Sequence, residues 1–247
     1  MRNRMVLYLA RILISVSQMP NKIKRMVRIM KKNQKNCFVT ISLMAAFILW
    51  TALVMHCDVR PIGPKGTSVG LAGINEAFHN LTGVHMMIYT ITDWLGLVPL
   101  FCVLGFAMLG LVQLVKRRSL LKVDVDILVL GIYYVVVMGA YILFEVVVIN
   151  YRPILIEGRL EASYPSSTTL LVMCVMATVM LQLHKRIKSD VIRNILMVLI
   201  ALFSACMVIG RLISGVHWLS DIIAAALLSG ALIMAYYTIC EMCKIKE

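Results

Sequence analysis

Charged residues are scarce in this chain, and their scarcity excludes most classes of soluble protein. They account for 15% of the 247 residues, whereas 61% are hydrophobic, and the mean hydropathy is +0.88. A water-soluble domain would have difficulty burying so much apolar surface. The apolar residues instead form six blocks of roughly twenty, the length that an α-helix needs to cross about 30 Å of hydrocarbon. The sequence therefore predicts an all-α polytopic membrane protein, a bundle of six transmembrane helices.

A cleavable signal peptide is also not expected, because Arg11 interrupts the first apolar run and no small-residue cleavage site follows it. We expect two parts: a basic segment, residues 1–36, and a six-helix domain, residues 37–247. The basic segment fits a helix on the membrane surface, and an extension without a role is the alternative. The predicted spans are Cys37–Met55, Trp94–Val115, Ile127–Ile149, Ser166–Leu183, Ile192–Gly210 and Ile222–Cys240. In the long connection 56–93, the weakly amphipathic stretch Val69–Tyr89 fits a segment lying flat on the membrane.

A disulfide framework and a metal motif are both missing. The number of cysteines, seven, is odd, and four of them lie within or at the edge of apolar blocks, where they act as small hydrophobic residues. Cys240 and Cys243 form a C-x-x-C pair, but no second Cys or His pair stands near it in the sequence. We therefore expect neither a metal nor another cofactor.

Lysine and arginine are distributed unevenly around the six blocks. Ten precede Cys37, four lie in 116–122, four in 185–193 and two follow Cys243, which together are twenty of the twenty-five. Short loops rich in basic residues stay in the cytoplasm, so both termini are predicted to be cytoplasmic. The formal charge of +13 then follows from topology and from attraction to anionic inner-leaflet lipids, and it requires no nucleic-acid partner.

Charged residues near the outer ends of the spans need individual explanations, because a charge at membrane depth is costly. The link between the fifth and sixth spans has the spacing Arg211-x5-His217-x3-Asp221. If the sixth helix begins here, His217 and Asp221 share a face, and the carboxylate fixes the imidazole while its other nitrogen can attack phosphorus. Arg211 would bind phosphate oxygens. The alternative is an interfacial histidine beside Trp218, with Asp221 as a helix cap.

Two further segments on the same predicted side offer anion-binding groups. The run Pro165–Thr169 presents hydroxyl and backbone N–H groups at a helix start, where the dipole favours an anion. A simple helix cap is the alternative. Arg152, fixed by the following Pro153, is either a second phosphate clamp or an arginine that extends to lipid headgroups.

Together the three segments resemble the type 2 phosphatidic acid phosphatase superfamily. That family has Lys-x6-Arg-Pro, Pro-Ser-Gly-His and Ser-Arg-x5-His-x3-Asp on the outer loops of a six-helix bundle. The corresponding residues here are Glu145-x6-Arg152-Pro153, Pro165-Ser166-Ser167-Thr168 and Gly210-Arg211-x5-His217-x3-Asp221. Their order, spacing and placement around the third to sixth spans match, and the resemblance covers roughly residues 93–240.

The resemblance implies a role for each matching residue. It makes two residues catalytic, His217 as the nucleophile and Asp221 as the carboxylate that orients it. The other matches would bind phosphate: Arg152, Arg211, Ser166, Ser167 and Thr168.

Two positions depart from the family pattern. Glu145 replaces a phosphate-binding lysine, a loss of about 1–3 kcal/mol in a partly wet site unless Glu145 pairs with Arg152 or another basic group. Thr168 replaces the histidine that protonates the leaving group, and loss of a general acid typically costs about 10²–10⁴-fold. A phosphate leaving group, with a second pKa of about 6, departs without that help. The pattern thus favours an isoprenoid diphosphate of the undecaprenyl type over a simple lipid phosphate.

Three functions are compatible with these residues. The first is a phosphatase of the cell membrane that acts on a lipid phosphate or diphosphate at the extracytoplasmic face, through a phosphohistidine. The second is a protein that binds or moves phosphorylated lipids without turnover, which the two departures favour. The third is a phosphotransferase that passes the phosphoryl group to an acceptor other than water.

Overall fold

The computed structural model describes residues 30–243, and in this range the chain is helical, without β-strands apart from isolated bridges. Eight α-helices follow one another: α1 Met30–His56, α2 Ala72–Thr82, α3 Met86–Leu95, α4 Leu97–Arg117, α5 Val125–Val146, α6 Ser167–Arg186, α7 Asp190–Ile213 and α8 Leu219–Cys243. The surface helix predicted within residues 1–36 falls mostly on residues 1–29, outside the described range.

Six helical segments are long and apolar enough to cross a membrane, which confirms the predicted all-α bundle. Five consist of a single helix, and the second, Met86–Arg117, combines α3 and α4 around a break at Gly96. The predicted start of this span at Trp94 was too late by two turns. The sequence placed Asp93 in the outer connection, but in the structure Asp93 is paired with Arg211 and lies within the span.

The centre of the bundle is formed by α6 and α8. Half of the apolar stretch of each is buried, whereas in the other four spans the buried share is 22% or less. Small residues of α8, among them Ala224 and Ala225, are fully buried and allow α6 to approach closely. The outward faces of α4, α5 and α7 carry exposed Phe101, Val135 and Leu199, as expected for helices surrounded by lipid.

The connections at one end of the bundle form a compact cover, which we call the hood: residues 57–85, including α2, and residues 147–166. The second segment folds back on itself through the antiparallel bridges Tyr151–Ala162 and Ile156–Arg159. The stretch predicted to be one flat amphipathic segment, Val69–Tyr89, is instead divided between α2 and the start of α3. The helix α2 packs against the start of α8, so the hood is attached to the central helix.

The opposite end of the bundle is held together by ion pairs. Arg117 of α4 contacts Asp124 at 2.8 Å, and Arg186 and Lys185 of α6 contact Asp126 of α5 at 3.3 and 3.4 Å. Basic residues of the loops predicted to be cytoplasmic thus meet the acidic residues that begin α5. These pairs join three helices on the side away from the hood.

Candidate active site

His217 and Asp221 lie together beneath the hood, both almost completely buried. The spacing had suggested that His217 and Asp221 share a face of the last helix. The helix α8 begins only at Leu219, however, so His217 lies in the turn that precedes it. The Nδ1 atom of His217 lies 3.8 Å from Oδ2 of Asp221 and 3.2 Å from the backbone oxygen of Ser163. A carbonyl oxygen can only accept, so this contact places the proton of the neutral ring on Nδ1.

The other ring nitrogen, Nε2, is buried and has no hydrogen-bond partner among the described residues. Burial lowers the pKa of His217 to about 4, and the neighbouring Asp221 carboxylate only partly opposes this effect. The imidazole is therefore neutral at pH 7, with its lone pair on Nε2. A nucleophilic imidazole requires this protonation state.

Asp221 is a helix cap, one of the two alternatives that the sequence left open, and it also lies next to His217. Its Oδ2 accepts a hydrogen bond of 2.9 Å from the backbone N–H of Trp218, as a carboxylate three residues into a helix does in a capping box. Its Oδ1 faces the amide of Asn150 at 3.4 Å and the hydroxyl of Ser220 at 3.5 Å. The residue is thus a helix cap whose position is fixed next to His217.

Asn75 of α2 extends this network into the hood. Its amide donates to Oγ of Ser220 at 2.9 Å and to the carbonyl of Gly70 at 2.8 Å, and its oxygen accepts from the backbone N–H of Ser220 at 3.0 Å. The same Ser220 contacts Asp221. The hood is therefore connected by hydrogen bonds to the carboxylate that lies next to His217.

Arg211, at the end of α7, is 1% exposed and is held by α3 and α6. Its Nη2 donates to Oδ1 of Asp93 at 3.1 Å and to Oγ1 of Thr168 at 2.5 Å. The guanidinium also lies 4.9 Å from the ring centre of Tyr89, a cation–π contact. Its Nε is buried without a partner among the described residues, so one donor is available to an anion.

Arg152 lies in the hood and is also largely buried. Its Nε is 3.1 Å from Oε2 of Glu161, although the contact is not aligned as a hydrogen bond, and its Nη1 has no partner among the described residues. Glu145 pairs neither with Arg152 nor with another basic group among residues 30–243, and the carboxylate partner of Arg152 is Glu161. Tyr89 also faces this guanidinium at 5.8 Å, so one ring lies against both arginines.

The hydroxyl-rich run is divided between two locations. Ser166 is fully buried, its Oγ has no partner among the described residues, and its N–H donates to the backbone oxygen of Asp221 at 3.2 Å. Ser167 and Thr168 begin α6 and face a cavity. Ser166 therefore belongs to the layer of Asp221, and the next two residues belong to the cavity wall.

The cavity has a volume of about 720 Å³ and lies between α4, α5, α6 and the hood. Charged and polar groups surround one part of it, including Arg152, Arg211, Glu145 and Thr168. The remainder is apolar, lined by Leu97, Leu100, Val137, Met138, Leu170 and Leu171. The cavity thus suits a ligand with a polar head and a hydrocarbon body.

His217 and Ser166 do not line this cavity. Both arginines do line it, and both lower the pKa of His217 electrostatically, so they are close to the histidine as well as to the cavity. Nε2 of His217 is itself buried, so the cavity and this nitrogen are not in open contact in the structure.

No group of three His, Cys, Asp or Glu side chains within residues 30–243 is arranged to hold a metal ion. Cys240 and Cys243 are both free thiols at the opposite end of the bundle from His217.

The structure adds residues that the motif comparison did not find. Asp93 was detectable, since a charge at the end of an apolar span needs a partner. Asn75, Asn150 and Glu161 carried no such signal, because their roles depend on contacts across the fold. Ser163 takes part only through its backbone oxygen, which no side-chain pattern reveals.

Fold and site define a class: a six-span membrane protein that places a neutral, buried histidine beside two arginines under an extramembrane hood. The chain belongs to the PAP2 superfamily, whose family model matches residues 100–244. A solved structure, a transmembrane PAP2-type phosphatidylglycerolphosphate phosphatase from Bacillus subtilis, has a similar fold with a TM-score of 0.61. The identity is 14%, and the match covers 83% of this chain and 97% of the other. No curated protein sequence matches the chain.

Proposed function

We propose that this chain is a phosphatase that hydrolyses a phosphorylated lipid at the extracytoplasmic face of the cell membrane. Membership of the PAP2 superfamily supports lipid phosphatase function. The observation that carries the proposal is Nε2 of His217, a neutral and unpartnered nitrogen close to two arginines. Such a nitrogen is suited to attack phosphorus directly, so the proposed nucleophile is the imidazole rather than an activated water.

The reaction then has two steps. Nε2 of His217 forms a bond to phosphorus while the bond to the bridging oxygen breaks, and Asp221 stabilises the positive charge on the ring. Water then attacks the phosphohistidine, the P–N bond breaks, and inorganic phosphate leaves. Arg152 and Arg211 hold the phosphoryl oxygens, with Ser166, Ser167 and Thr168 as additional donors.

Both arginines contact carboxylates in the structure, Arg152 with Glu161 and Arg211 with Asp93. A phosphate dianion carries twice the charge of a carboxylate and can accept two hydrogen bonds from one arginine. Substrate binding therefore exchanges partners at the arginines, and this exchange would give the phosphoryl group access to His217.

The cavity supports a lipid as substrate. Its apolar part extends from the arginines along α4, α5 and α6, so it accommodates a hydrocarbon chain while the phosphate remains near the hood. Thr168 has no proton to give at neutral pH that compares with an imidazolium, so the leaving group must depart without a protein acid. A diphosphate of an isoprenoid lipid, undecaprenyl in type, meets this requirement.

Lipid binding without turnover is the second candidate, favoured by Glu145 and by the closure of the cavity toward His217. A phosphate-release assay on purified protein, with a diphosphate and a monophosphate lipid in parallel, separates the two. A phosphatase releases phosphate from at least one lipid. Absence of release from both, with lipid capture that weakens in Arg152→Ala and Arg211→Ala, would establish a binding protein instead. Release only when an acceptor alcohol is added would identify a phosphotransferase.

The proposed orientation places the hood outside and both termini in the cytoplasm, since twenty of the twenty-five basic residues then lie inside. Single cysteines at the exposed Ser68 and Arg159 of the hood, in a protein without native cysteines, should react with an impermeant thiol reagent in intact cells. A cysteine at Leu121, which is 95% exposed at the opposite end, should react only after lysis. The reverse pattern would place the site in the cytoplasm.

A further inference from the structure

The helix α2 of the hood has three different surfaces around its axis. The first is buried against α8: Ala72 and Asn75 are almost fully covered, and Asn75 is hydrogen-bonded to Ser220. The second surface is polar and exposed, and it carries Glu76 and Asn80. These two surfaces are what a helix needs that covers a site on one side and faces water on the other.

The third surface of α2 is apolar and nevertheless exposed. Ile74 is 59% exposed and Leu81 is 82% exposed, and the two lie on the same side of the helix, two turns apart. The exposed Ala77 lies between them on that side. Successive residues of a helix are rotated by about 100°, so this side is neither the buried nor the polar one. An exposed apolar face of this kind indicates an apolar partner.

The apolar surface continues into a part of the chain that faces lipid. Only residues 83–85 separate α2 from α3, and α3 begins the second candidate span. Leu81, Val84 and Met87 are all exposed. Trp94, at the other end of α3, is exposed as well, and tryptophan is enriched at membrane–water interfaces. The exposed apolar residues of α2 therefore lie next to the point where the chain enters the bilayer.

The turn between α2 and α3 is fixed on the end of α7. A Cβ atom on Gly215 would lie 2.0 Å from the backbone oxygen of Gly83, so the two backbones are in direct contact. The N–H of His85 donates to the backbone oxygen of Ser214 at 2.9 Å. Since α7 is a candidate span that ends at Ile213, these contacts hold the end of α2 at the level where α7 leaves the membrane.

We propose that α2 is an interfacial helix whose face of Ile74, Ala77 and Leu81 is inserted into the bilayer leaflet on the side of the hood. Glu76 and Asn80 face water in this arrangement. Interfacial helices bury an apolar face at the boundary between headgroups and acyl chains and keep their polar face in water. The sequence expectation of a segment lying flat on the membrane then applies to α2 alone. The placement is independent of the proposed phosphatase activity and of which side of the membrane the hood occupies.

The same helix connects the membrane surface with the candidate site. On its buried side, Asn75 binds Ser220, and the ring of His79 lies 5.5 Å from that of Trp218. Trp218 directly follows His217 in the chain. The bilayer on one side of α2 thus supports, through the other side, the turn that contains the histidine.

The test uses single cysteines labelled with the fluorophore nitrobenzoxadiazole, in protein without native cysteines, reconstituted in phosphatidylcholine nanodiscs. Ile74→Cys and Leu81→Cys probe the apolar face, and Asn80→Cys is the matched control on the polar face. A phosphatidylcholine with a nitroxide near its headgroup should quench the first two labels at least about threefold more than the control. Iodide in the water should quench them in the reverse order. Phe101→Cys, on the exposed face of α4, is the reference for a lipid-facing label.

Quenching of the labels at Ile74→Cys and Leu81→Cys by iodide as strongly as the control, with none by the nitroxide lipid, would place this face in water and overturn the inference. Protection from both quenchers would overturn it too, because a protein surface, such as a second copy of this chain, would then cover α2. If Leu81→Cys yields no folded protein, the result at Ile74→Cys decides by itself.

Discussion

Replacing His217 by alanine is expected to lower phosphate release by at least about 10⁴-fold, because the variant lacks the nitrogen that attacks phosphorus. Asp221→Asn should have a smaller effect, about 10²-fold or more, since it disturbs the tautomer and the charged ring without removing the attacking atom. Both are measured as kcat for phosphate release from the best lipid substrate. Lipid binding should change little in either variant.

His184→Ala is the matched control for this experiment. His184 is an exposed histidine near the end of α6, on the side away from the hood, and its replacement should leave kcat unchanged. Turnover by His217→Ala at the wild-type rate would show that another group attacks phosphorus, and the proposed mechanism would be wrong.

Thr168→His is expected to raise the activity on a plain monophosphate lipid by about 10²-fold, while the activity on a diphosphate changes by less than threefold, about the level of ordinary variation. A proton donor lowers the barrier only as far as negative charge develops on the departing oxygen. An alkoxide develops much charge, whereas a phosphate already carries it near neutral pH.

The position suits this substitution, because Thr168 lies on the cavity wall and contacts Arg211. Thr90→His, an exposed threonine of α3 outside the cavity, is the control and should change neither activity. An equal gain on monophosphate and diphosphate lipids would contradict the leaving-group argument, although hydrolysis itself would stand.

The six spans were predictable because hydropathy is a local property that needs no knowledge of the fold. The error at the second span shows the limit of this reasoning. Asp93 looked like a residue of the outer connection, but it pairs with Arg211, 118 positions away in the chain, which lowers the cost of a charge at the end of a membrane helix. A charged residue in a span is tolerated because of tertiary contacts. Hydropathy averaged over consecutive residues contains no information about such contacts.

The site was predicted in part for a similar reason. The motif spacing singled out His217, Asp221 and the two arginines, and the structure places these four residues close together. Asn75 and Asn150, which surround Asp221, have no fixed separation from it in the sequence. Glu161 was missed as the partner of Arg152 because the two meet only where the hood folds back on itself.

The central claim is that His217 becomes phosphorylated during turnover, and trapping that species tests it most directly. Purified protein is mixed with a lipid labelled in its phosphoryl group, stopped within one turnover, and analysed for protein-bound label. The account predicts a label that is labile in acid and stable in base, located on the peptide containing His217, and absent from His217→Ala. The contradicting result is phosphate release by the wild-type protein with no label on His217. The Asp221→Asn variant, in which turnover is slower, should then also accumulate no label.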